Sequence, residues 1–135
     1  MAAMKTTAIA LLAVSLFVVT ASAARSESEP SHTLTGQYVW TYQNTPGDLE
    51  AVFTRTGEGR YDVVFHFTFD GQPRAYRGTA EGSLSEGTLS GTVKNENRRR
   101  TFVFDGAVSE GTFRGTHAEI RRGKERRTGT LTLTS

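Results

Sequence analysis

The chain has 135 residues, no cysteine, 16 lysines and arginines against 14 acidic residues, and an apolar content of 36%. After a leader is subtracted, that length allows one domain with one core. The lack of cysteine excludes a disulfide scaffold and thiolate chemistry, whether as metal ligand or as nucleophile.

The N-terminus reads as an export signal. Lys5 supplies a basic n-region, residues 8–19 form an apolar run of h-region length, and Ala21-Ser22-Ala23 is an A-x-A cleavage pattern. The run is shorter than the roughly 20 residues a spanning helix needs. No cysteine follows it, which excludes lipoprotein processing. We therefore expect a cleaved signal peptide at 1–23, a disordered polar lead-in at 24–32 and a folded domain at 33–135, periplasmic or secreted. Losing Lys5 leaves 15 basic residues against 14 acidic ones. Bulk charge therefore predicts no nucleic-acid partner.

The remainder reads as strand and turn, with no sustained helical period. Strands are predicted over 33–42, 49–55, 60–69, 74–84, 88–94, 100–108, 112–121 and 127–134. They are separated by Gly-, Asp- and Pro-bearing turns at 45–48, 56–59, 70–73, 85–87 and 109–111. Such spacing predicts an all-β, single-domain, eight-stranded antiparallel up-and-down β-barrel. Period-2 alternation places most aromatics on one face, including Trp40, Phe53, Phe65, Phe67, Tyr76 and Phe102. Gly36, Gly78, Gly91, Gly106, Gly115 and Gly129 share that file, the mixture of large and absent side chains that lets a small barrel coil tightly. The other file is mostly Thr, Ser and charged residues. An outer-membrane barrel would invert this assignment. It would then place glycines and Glu119 against lipid, so we expect no stable membrane insertion.

Residues 82–93 and 106–117 are a repeat one hairpin apart, with seven of twelve positions identical. The repeat exposes its own exception. Val93 on the inward file of the first copy becomes His117 in the second, with Glu119 two residues on. Strand direction gathers the turns near 43–48, 70–73, 95–99 and 122–126 at one end. That end collects Arg74, Lys94, Arg98, Arg100, Arg122 and Arg127 among others, predicting a basic mouth that draws in anions. The opposite end carries Glu58, Glu86 and Glu110.

The opening Leu34-Thr35-Gly36-Gln37-Tyr38-Val39-Trp40 resembles the first strand of the calycin group, in which lipocalins carry G-x-W and avidin-type barrels T-G-x-W. Here Tyr38 stands where that tryptophan falls, and Trp40 comes two residues later. The resemblance covers this segment, the strand count and the strand order. The downstream lipocalin motifs and the avidin biotin-site pattern are not recognisable. The resemblance implies a ligand cavity open at one barrel end.

The leading expectation is an exported barrel that binds a small anionic, aromatic or lipophilic ligand at the basic mouth. Trp40, Tyr42 and Tyr76 would stack on it, His117 and Glu119 would orient it, and Arg100, Arg122 and Arg127 would attract it. Arg100, Arg127 or a tyrosine hydroxyl would pair the inward Glu119. Two alternatives stand beside this: an envelope interaction module with a solid core, and a small barrel isomerase or cyclase using His117 and Glu119. No catalytic motif, cofactor signature or third metal ligand is in register, because His66 falls on the outward file and His32 precedes the first strand.

Overall fold

The computed structural model describes residues 31–97 and 99–135. The expected signal peptide, the lead-in up to residue 30, and Arg98 lie outside them. The strands are β1 (Ser31–Trp40), β2 (Thr45–Gly57), β3 (Arg60–Phe69), β4 (Gln72–Gly82), β5 (Gly87–Lys94), β6 (Thr101–Ser109), β7 (Thr112–Arg121) and β8 (Lys124–Thr134). Each pairs antiparallel with the next, and β8 returns to β1, closing an eight-stranded barrel. Closure leaves no full-length edge strand. Turn chemistry drives the hairpins. Asp70-Gly71, Glu110-Gly111 and Arg122-Gly123 all have positive φ at both residues, the backbone twist that matches the flanking strands in two-residue hairpins.

Three local expectations change. First, residues 45–48 are strand, and the turn is 41–44. Asn44 at φ 52° closes it, with the Gln43 and Asn44 amides donating to the Trp40 carbonyl at 3.0 and 2.7 Å. Thr45 to Asp48 pair with β1, while the β2–β3 ladder begins only at Leu49–Phe67. Paired on one side only, this stretch tolerates Pro46 as an edge strand does. Second, β1 starts at Ser31, so His32 is in the sheet, opposite Phe53. Third, the two repeat copies turn differently. Ser109 and Thr112 pair across the two-residue Glu110-Gly111 turn, whereas β4 and β5 pair only up to Gly82–Leu89. The longer first connection lets Leu84 pack on the core. Its Ser83 hydroxyl accepts from the Ser85 and Glu86 amides, and the Glu86 carboxylate accepts from the Glu110 amide, so one copy's turn rests on the other's.

The inward file forms the core, but unevenly. At the end of the 58–59, 83–86 and 110–111 connections, Leu34, Phe53, Leu89, Phe113 and Leu133 are fully buried and close the barrel. At the opposite end Tyr38, Trp40, Phe67 and Tyr76 are only partly buried against the same cluster. The outward file is mostly threonine and charge, with Val52, Val64, Val103 and Ile120 among them.

Candidate functional site

The half-buried aromatics line a cavity of about 220 Å³ that opens at the end of the 41–44, 95–100 and 122–123 connections. Its walls include Trp40, Phe67, Tyr76, Phe102 and His117, and Arg74, Asn95 and Arg100 stand at its rim. The rings form one connected set: Tyr38 meets Phe67 at 5.4 Å, Phe67 meets Tyr76 at 5.2 Å, Tyr76 meets Phe102 at 5.5 Å and Phe102 meets Trp40 at 6.1 Å. Tilted and edge-on pairs at these distances fix each other's orientation.

Arg100 is anchored from both sides. Its Nε and Nη2 donate to Glu119 at 3.0 and 3.1 Å. Its guanidinium carbon lies 5.7 Å from the Trp40 ring centre and 5.1 Å from that of Phe102, within cation–π range. The amide of Arg100 donates to the Asn95 side chain, and the Asn95 amide donates to the Arg100 carbonyl. Glu119 is 6% exposed and also faces the Arg121 Nε at 3.6 Å. The hydrogen bonds from Arg100 hold its carboxyl below the usual carboxylate range, outweighing the opposite effect of burial. Burial raises Tyr76, an effect opposed by Arg100 and Arg74, whose fields reach its hydroxyl.

His117 belongs to the wall. Its ring is near-parallel to Trp40, 6.0 Å away at 19°. Nε2 lies 3.1 Å from the Val39 carbonyl, 78 residues away in sequence, and must donate to it. Nδ1 lies 2.7 Å from the Thr128 hydroxyl, which is itself 3.1 Å from the His117 carbonyl. The neutral ring accepts from Thr128. The charged ring would donate to it, with the hydroxyl turning to the carbonyl. This contact depends on a β-bulge: His117 pairs with Gly129 but Ala118 pairs with Arg127, leaving Thr128 as the extra residue.

Of the residues expected at the site, Trp40, Tyr76, Arg100 and His117 line the cavity, and Glu119 sits behind Arg100. Tyr42 does not line it. That residue lies in the 41–44 turn at 61% exposure and touches the far side of Trp40 at 5.9 Å. Arg122 is an exposed turn residue. The bulge sets Arg127 opposite outward-facing Ala118 and puts Arg126 opposite Glu119. Arg74, expected at the basic mouth but not among the binding residues, lines the cavity, as the alternation that turned Tyr76 inward implies two residues earlier. Asn95 carried no signal, because loop residues have no period. Tyr38 was placed inward, but its reach was not visible. Its hydroxyl donates to the Thr68 carbonyl at 3.4 Å, across the gap beside Gly47. No family model, no curated protein and no solved structure matches the chain. Among the described residues no group of three or more His, Cys, Asp or Glu is placed to hold a metal.

The His117 contacts predict a pH response. Burial holds its folded-state pKa below the unfolded value of 6.5. The unfolded chain therefore takes up the proton first as pH falls, so His117 supports the fold fully above about pH 6.5 and progressively less below it. Glu119, held below 4.5 by Arg100, acts in the same direction at lower pH. His117→Val restores the repeat's consensus but strands the Val39 carbonyl, while the Thr128 hydroxyl keeps the residue-117 carbonyl as its acceptor. We expect it to cost about 1–3 kcal/mol at pH 8 and to flatten the wild-type slope between pH 7 and 5, measured by urea unfolding at each pH.

Proposed function

We propose that this chain is an exported barrel that captures a small ligand in the cavity behind its basic mouth. One observation carries the reading. The barrel is solid at one end and hollow at the other, and the hollow end is walled by aromatic rings and rimmed by arginines. An apolar concavity with a few convergent polar groups is how small-molecule sites are built. The mouth also bears exposed Arg99, Arg122, Lys124, Arg126 and Arg127, whose summed field favours anionic ligands.

The alternatives draw less support. A solid-core interaction module has no use for an open aromatic cavity. An isomerase or cyclase would need His117 as a free base, yet both its ring nitrogens are hydrogen-bonded into the wall, and Glu119 is held by Arg100. The polar outward file supports a barrel standing free of the bilayer. Kinship with the calycins is part of the same proposal, supported by the closed strand order and the Thr35-Gly36-Gln37-Tyr38 segment. Native mass spectrometry on protein purified from its natural compartment tests the reading. A bound small molecule should appear on the folded wild type and disappear when Val93 and Leu131, which line the cavity, are both enlarged to Phe. Retention of the bound mass in that variant would place the ligand elsewhere.

A further inference from the structure

Arg100 spends only part of its donor set on Glu119. A guanidinium offers five N–H groups in a planar fork. The side-on grip through Nε and Nη2 uses two of them. The end-on fork, one N–H from each Nη, meets no acceptor among the described residues. That fork matches a carboxylate in two parallel hydrogen bonds. Trp40 and Phe102, packed on the guanidinium, hold it ready at no further cost in side-chain order. The Tyr76 hydroxyl, on the same wall and within the field of Arg100 and Arg74, likewise makes no hydrogen bond among the described residues.

Charge and volume narrow the ligand further. Arg100, Arg74 and Arg121 stand against one carboxylate, Glu119, so the mouth favours an anion. The cavity of about 220 Å³ exceeds the roughly 150 Å³ of an engineered apolar cavity that holds benzene. The space therefore suits a small aromatic ring system whose polar group lies at the rim. Below the rim the walls are Phe65, Phe67 and Phe104, so a flat ring finds aromatic faces and edges around it.

We propose that the ligand is a small aromatic carboxylate, its carboxylate in the end-on fork of Arg100 beside the Tyr76 hydroxyl and its ring on Phe65, Phe67 and Phe104. This inference rests on the cavity being a ligand site, and the test separates the two. Benzoate and benzyl alcohol are titrated into the full mature chain by calorimetry and by fluorescence of Trp40, the only tryptophan. Benzoate should bind at least about tenfold more tightly than benzyl alcohol, the range expected for losing a charge-assisted bidentate contact. Arg100→Lys keeps the charge and removes the fork. It should bring benzoate down to the level of benzyl alcohol while leaving benzyl alcohol unchanged, and that retained binding reports a folded cavity. If Arg100→Lys does not fold, Tyr76→Phe carries the test, with benzoate weakened by about two- to tenfold and benzyl alcohol unaffected. Equal affinity for benzyl alcohol and benzoate, or full benzoate affinity in a folded Arg100→Lys or Tyr76→Phe, overturns the carboxylate site and leaves the cavity reading standing. Failure of both single-ring probes to bind folded wild type overturns this inference and the cavity reading together.

Discussion

Gly129→Ala is expected to leave the chain without a cooperative unfolding transition. Gly129 faces Trp40 on the rung where β8 meets β1, the seam that closes the barrel. A Cβ there would lie 1.7 Å from the Val39 carbonyl oxygen and 2.7 Å from His117 Nε2. The nearest obstacle is backbone, so no rotamer change relieves it. Either β1 moves off β8 or the His117–Val39 hydrogen bond goes, and the single closing seam is weakened in both cases. We expect a loss of at least about 4 kcal/mol, at the severe end for one substitution. Gly57→Ala is the control. Its nearest neighbour atom would be 4.0 Å away, and its stability should stay within about 0.5 kcal/mol of wild type. Circular dichroism through a urea titration distinguishes the two. A folded, cooperative Gly129→Ala protein would show that the seam tolerates separation.

Phe53→Ala should cost about 3–5 kcal/mol, and Phe67→Ala no more than about 1–2 kcal/mol, although the residue type is the same. Phe53 is fully buried at the solid end and packs edge-on against Tyr61 at 6.1 Å. Its removal leaves an enclosed void that the closed sheet cannot collapse to fill. Phe67 already borders the open cavity, so trimming it enlarges a space that exists and removes less apolar area from shelter. Phe67→Ala should therefore remain folded and, on the proposed reading of the cavity, lose ligand affinity, whereas Phe53→Ala should lose stability first. In thermal unfolding Phe53→Ala should fall by more than about 12 °C, taking roughly 4 °C per kcal/mol for a domain of this size. Equal losses would mean that the two ends are packed alike.

The contrast between the ends also shows how far the sequence could be read. Strand number, strand order and the inward file were legible because they rest on local chemistry: alternation of period two, and Gly-bearing turns such as Asp70-Gly71 and Arg122-Gly123 whose backbone needs are met within two residues. Sorting of basic residues to one end followed from strand direction alone. The repeat located His117 on the wall because its counterpart Val93 is also inward and is fully buried.

Other features needed the folded chain. Tyr42 looked inward by alternation, but the turn begins at residue 41 and the strand's period ends with it. Arg127 looked like a neighbour of Glu119 until the bulge at Thr128 shifted β8 by one residue, which exchanges the two files. The side-on grip of Arg100 on Glu119, the His117–Val39 contact and the hollow at one end depend on register between strands far apart in sequence. By itself, then, the sequence determined an eight-stranded antiparallel barrel with aromatics inside and arginines at one mouth, because pattern and turn preference are local properties. Only the tertiary structure decided which inward side chains meet, which end is solid and which donors stay open toward the cavity, because closing the sheet is what brings β1 against β8 and Arg100 against Glu119.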